Sequence, residues 1–136
     1  MPGPLFEIKS PGLIRAKDLF VVPKVWGEEK WIVNNDKYCG KRLLLFQGMQ
    51  CSLHHHKIKH ETFYIVGGKV RFELDDEVYI LTQGDSIEVP VGTRHRFGGL
   101  VLSVIMEFST HHEESDSYRE EGELSRFNPD LLESPE

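Results

Sequence analysis

The chain has 136 residues, a usual size for one domain around one core. Its net charge of −6 is unevenly spread: residues 1–110 hold 14 Lys plus Arg against 13 Asp plus Glu, and residues 111–136 hold 2 against 9. Acid gathered in the last segment argues against nucleic-acid binding, and no stretch approaches the roughly 18 apolar residues of a membrane-spanning helix.

The chain starts without the basic block and long apolar run of a secretory signal. Cys39 and Cys51 are too few for a disulfide framework and read as free thiols, so a cytoplasmic location is expected. Pro2, Pro4, Pro11 and Pro23 break residues 1–25 into short pieces, an arm suited to strand exchange with a partner chain. The barrel is expected over residues 26–110 and an acidic C-terminal tail over 111–136.

Strands are predicted from Asp18 to Val22 and from Lys30 to Val33, with a turn at Asn34 to Asp36. A third strand runs from Tyr38 to Phe46. Its centre, Leu43 to Phe46, is apolar on both faces, which predicts burial on both sides, one of them against a second copy in a homodimer. His54 and His56 are two apart and share a face on a strand. Glu61 follows His56 by an odd step, so a turn must lie between them. Glu61 to Val66 reads as a strand with Glu61, Phe63 and Ile65 on one face, ended by the hairpin signal Gly67-Gly68. Lys69 to Leu74 and Val78 to Leu81 form a hairpin around Asp75 to Glu77. Ser86 to Val89 is a strand, Pro90 and Gly92 set a corner before His95, and Leu100 to Phe108 is a long strand. Residues 109–119 are predicted to cap a short helical turn. Residues 128–136 are expected to be loosely held. Many short strands at regular turn spacing predict an all-β sandwich or barrel.

His54, His56, Glu61 and His95 could collect one divalent ion of the kind that suits imidazole and carboxylate: Mn, Fe, Ni, Co or Zn. A lone histidine is more often structural than a ligand. Here the positions recur in two spaced patterns. The first is Gly48, His54, His56, Glu61 and Gly68, and the second is Gly84, Pro90, Gly92 and His95.

Together these nine residues resemble the paired signature of the cupin superfamily, over residues 38–108. The resemblance implies a double-stranded β-helix, the jelly-roll barrel, with a metal in its mouth held by His54, His56, Glu61 and His95. The second pattern departs from the family at Gly99, where Asn is usual. Family spacing also admits His60 in place of Glu61. His55 is expected to point away.

Residues outside the two patterns are similar to sugar-handling cupins, the D-lyxose isomerase-type enzymes and the cupin domain of type II mannose-6-phosphate isomerases. The carrying runs are Val25-Trp26-Gly27-Glu28-Glu29, Trp31 to Asn34, Tyr38 to Lys41 and Ser109 to Arg119. That likeness implies a sugar or sugar phosphate as ligand and aldose–ketose isomerase or epimerase-like chemistry. A proton must then be moved by a base, and a cation must hold the enediolate. Lys59, at the offset of the matching lysine in those isomerases, is the candidate cation, and Glu107, charged inside an apolar strand, the candidate base. Desolvation is expected to raise the pKa of Glu107 toward a useful range. Lys41 is a candidate substrate-binding residue from the neighbouring strand. Trp26, Trp31 and Tyr38 are candidates for stacking on a sugar, or for core. Two other functions fit the same ligands. One is a non-catalytic metal- or sugar-binding cupin. The other is an Fe(II)-dependent dioxygenase, whose pocket would be apolar around Phe63, Ile65 and Phe97.

Overall fold

The computed structural model describes residues 12–120, so residues 1–11 of the arm and 121–136 of the tail, with the expectations placed on them, lie outside the described residues. Eleven strands follow in chain order: β1 (Phe20–Lys24), β2 (Gly27–Asn34), β3 (Cys39–Leu45), β4 (His54–His56), β5 (Glu61–Gly67), β6 (Lys69–Leu74), β7 (Glu77–Thr82), β8 (Ser86–Val89), β9 (His95–Gly99), β10 (Ser103–Ser109) and β11 (Ser117–Arg119). They form a six-stranded sheet, ordered β1-β2-β3-β10-β5-β8, and a five-stranded sheet, ordered β11-β4-β9-β6-β7. Their ladders are antiparallel. The two sheets enclose one core, and the fold is all-β, a jelly-roll barrel. Among the described residues the helical ones are 3₁₀ turns at Ala16–Asp18 and Glu114–Asp116.

Strand parity builds the interior. On β3 the inward residues are Cys39, Lys41, Leu43 and Leu45; on β5 they are Glu61, Phe63 and Ile65; on β10 they are Ser103, Ile105 and Glu107. Register then sorts them by depth. Ile105 lies beside Leu43 and Ile65 in an apolar layer, while Glu107 lies beside Lys41 and Phe63 one step nearer the mouth. On the facing sheet Phe72 pairs with Phe97 and Leu74 with His95. Phe63, Phe72 and Phe97 meet at ring-centroid distances of 5.4–6.3 Å and fill the middle.

Two turns of the signature are set by backbone that favours glycine. Gly68 has φ 100°, and a Cβ there would meet Ser103 Oγ at 2.2 Å. Gly92 has φ 84°, and its N–H donates to the His56 carbonyl at 2.7 Å, which ties the corner before His95 onto β4.

Several expected boundaries shift. Residues 16–18 form a 3₁₀ turn rather than the start of a strand, and β1 runs on through Pro23, which it tolerates as a sheet edge. The last long strand starts at Ser103, because Gly99 and Leu100 are occupied by main-chain bonds to residues 48, 49 and 69. The turn at Glu114–Asp116 has no side-chain cap; Thr110 Oγ1 instead accepts the His60 N–H at 3.1 Å. Residues 117–119, placed in the tail by sequence, pair with β4.

Candidate metal centre

Two strands of one sheet bring the histidines together: β4 supplies His54 and His56, β9 supplies His95, and the His54–His95 register pair joins them. One ring nitrogen of each lies within 4.8 Å of the others. In each ring Nδ1 faces a main-chain carbonyl: Ser52 at 2.7 Å for His54, Asp116 at 3.1 Å for His56, Thr93 at 3.0 Å for His95. A carbonyl can only accept, so each Nδ1 carries a proton, which in a neutral ring leaves the lone pair on Nε2. Burial, then the neighbouring His95, pushes His54 well below its ordinary range, and burial, then Lys59, lowers His56 to about 4. His54 and His56 are therefore neutral, the form that ligates a metal.

Glu61 enters from β5 on the opposite sheet. Its Oε2 lies 2.8 Å from His95 Nε2 and 3.4 Å from His56 Nε2. Glu61 Oε2 and His95 Nε2 are fully buried, yet their alignment gives neither a hydrogen bond. Two buried polar atoms face each other at contact distance, and a cation between them would satisfy both. Three imidazoles and a carboxylate fit a first-row divalent ion.

A charged network lies beside this cluster. Lys59, 3% exposed, contacts Glu107 Oε2 at 2.9 Å, His112 Nδ1 at 3.0 Å and Glu61 Oε1 at 3.3 Å. Burial alone would lower the Lys59 pKa, but the carboxylates of Glu107 and Glu61 reverse it and hold the amine above its ordinary range. For Glu107 burial pushes upward as expected from the sequence, but Lys59 and then Lys41 overcome it, and the carboxyl is held well below the usual range. The expected upward shift of Glu107 is thus corrected: it sits beside a fixed ammonium rather than among apolar groups. His112 is lowered, first by burial, and its Nε2 donates to Glu114 Oε1 at 3.1 Å.

Lys41 faces inward, with its Nζ 3.5 Å from Glu29 Oε1 and 4.2 Å from the Trp31 ring centroid. The cavity holds about 80 Å³ of space and is lined by Lys41, Lys59, Glu61 and Glu107, with Lys24 and Arg119 also on its wall. Phe63 and Phe97 line it as well; Ile65 does not. Trp26 is on the wall, Trp31 is core, and Tyr38 is 56% exposed and off the cavity. His60 is turned away onto Glu88 Oε2 at 2.6 Å, whereas Glu61 is the carboxylate that lies against His56 and His95. His55 stacks on Tyr118.

Sequence reasoning missed Glu29, His112, Glu114 and Asp116. The Ser109 to Arg119 run drew attention only as a likeness. Nothing in its spacing shows that it folds back to place His112 on Lys59.

The cupin domain family matches residues 44–100. Xanthan biosynthesis protein XanB of Xanthomonas campestris pv. campestris (strain B100) is 32% identical over 126 residues, which is 89% of this chain and 25% of that protein. Mannose-1-phosphate guanylyltransferase of Escherichia coli (strain K12) is 28% identical over 126 residues, with the same 89% and 25% covered. The chain thus spans about a quarter of the length of these relatives. Among solved structures, an RmlC-like cupin from Shewanella frigidimarina NCIMB 400 superposes with a TM-score of 0.68 at 17% identity, covering 75% of this chain and 92% of that one, a likeness of fold.

Proposed function

The chain belongs to the cupin superfamily, and from that premise we propose that it is a metal-dependent cupin acting on a sugar or sugar phosphate by isomerase- or epimerase-like proton transfer. The observation that carries this is the adjacency of two clusters. Converging Nε2 lone pairs and Glu61 lie against a wall of buried, fully charged side chains, and Lys59 touches both groups. Relatives that share this stretch have names tied to mannose phosphate and polysaccharide synthesis, which supports a carbohydrate ligand.

A divalent ion held by His54, His56, Glu61 and His95 would polarise a carbonyl oxygen as a Lewis acid. The chain supplies the rest. Lys59 places a fixed positive charge beside the cluster, where negative charge develops on a substrate oxygen. Glu107 lines the cavity as a carboxylate and is the proton acceptor in this reading; its bond to Lys59 keeps it a weak base until a substrate oxygen competes for that ammonium. Lys41 and Glu29 offer a donor and an acceptor to hydroxyl groups. A cavity of about 80 Å³ holds only a few water-sized groups, so the reacting end of a ligand enters and the remainder lies toward Lys24 and Arg119. A second copy of this chain is the proposed partner.

The charged side chains on the wall support this reading over the oxygenase alternative, whose expected apolar lining is represented by Phe63 and Phe97 but not by Ile65. The experiment is metal analysis of fresh protein combined with an NMR screen of pentoses, hexoses and their phosphates. Turnover of a sugar with Mn is expected; iron with oxygen consumption and no sugar turnover overturns it. His56→Ala is expected to abolish stoichiometric metal. Glu107→Gln is expected to keep the metal and lose about a hundredfold or more in turnover. Unchanged turnover would remove Glu107 as the base.

A further inference from the structure

After β10 the chain crosses the mouth of the barrel and docks on β4. Asp116 ends the 3₁₀ turn of this crossing segment and is 5% exposed. Its carboxylate collects the N–H groups of three successive residues: Lys57 at 2.9 Å, Ile58 at 3.2 Å and Lys59 at 3.0 Å. Its main-chain carbonyl accepts from His56 Nδ1 at 3.1 Å. One aspartate therefore holds residues 56–59, a run that contains a ligand and the buried cation.

The three histidines are not equivalent in this respect. His54 and His95 bond to carbonyls two residues earlier in their own segments, at Ser52 and Thr93. His56 bonds to a carbonyl 60 residues later in the chain. Its tautomer is set by a distant segment. Successive N–H groups converging on one carboxylate form an anion-binding concavity, so that segment docks at a defined point. The ladder β11–β4 continues the contact through Ser117–His56, Tyr118–His55 and Arg119–His54.

We infer that Asp116 is the positioning residue of this centre. It fixes the His56 tautomer and the height of Lys59, so the centre is complete only when the C-terminal segment has docked. The inference rests on the metal-centre reading, but its first test needs no metal. In ¹⁵N NMR of the metal-free protein, His54, His56 and His95 should each show Nδ1–H. In Asp116→Ala, His56 alone should lose its single tautomer, and cobalt(II) affinity should fall by about 10–100-fold. Asp116→Asn keeps one acceptor oxygen and should lose less.

If His56 keeps its tautomer and cobalt affinity stays within about twofold of wild type, the inference is overturned. A change in all three histidines together overturns it too, since that is general loosening. If the alanine variant does not fold, the asparagine variant decides: wild-type tautomer and affinity there reduce Asp116 to a structural role. Failure of the wild type to bind cobalt removes the metal-centre reading, while the tautomer result still stands or falls by itself.

Discussion

At the scale of single residues, the buried charges are the part of the site with the largest energetic consequence. Lys59 separates Glu61 from Glu107, and all three are buried. Lys59→Met leaves two carboxylates facing a low-dielectric gap, and breaking such a buried group costs about 3–5 kcal/mol. Chemical denaturation of the metal-free variant should register that loss, and a divalent ion should restore part of it by neutralising Glu61. Wild-type stability in the variant would mean that Lys59 does not hold the pair together. The convergence of the three histidines was legible because their spacing is local: strand parity sets His54 with His56, and a tight corner aims His95. Lys59 was legible as a position, but its burial was not. The ionisation of Glu107 was not legible at all, since it depends on Lys59, 48 residues away in sequence.

At the scale of elements, the outward rows of β3, β10 and β5 carry Leu44, Val104 and Met106, with Tyr64 41% and Phe108 53% exposed. Their neighbours on the same strands fill the core, so the middle of this sheet carries apolar residues on both faces, interrupted on the outer one by Arg42 and Thr62, while Phe46 at the end of the predicted run is exposed. A second copy covering this outer face would explain the pattern. Light scattering should give the mass of a dimer, and Tyr64→Glu should shift it toward the monomer. A monomer mass for the wild type at micromolar concentration overturns this. Strand existence was readable from alternation, whereas strand ends were not. Gly99 shows why: a Cβ there would lie 2.7 Å from the Phe46 carbonyl oxygen, so crossing chains rather than local propensity decide what happens between Gly99 and Ser103.

At the scale of the whole molecule, acid should act in two stages. His54, His56 and His112 are lowered in the fold, so below the ordinary histidine value of about 6.5 the unfolded chain binds the extra protons and stability begins to fall. Glu73, Glu107, Glu114 and Asp116 are all held below the ordinary carboxyl range. Their contribution is fully present above a pH of about 4–5 and is lost as pH falls through their folded values. The melting temperature of the metal-free protein should therefore decline below about pH 6.5 and fall further below about pH 4; a rise on acidification would contradict the sign. The five-stranded sheet has one further property at this scale. β4 meets β9 through a single register pair, whereas β10 meets β3 through seven. The strand ladder is thus thinnest at the histidine cluster, between a leaf of β11 and β4 and a leaf of β9, β6 and β7, with main-chain bonds from Gly92 to His56 and from Cys51 to Phe97 on either side of it. An ion gripping both leaves, and Glu61 on the sheet across from them, would act as a rivet, so occupancy of the site and the breathing of the barrel would be one and the same equilibrium.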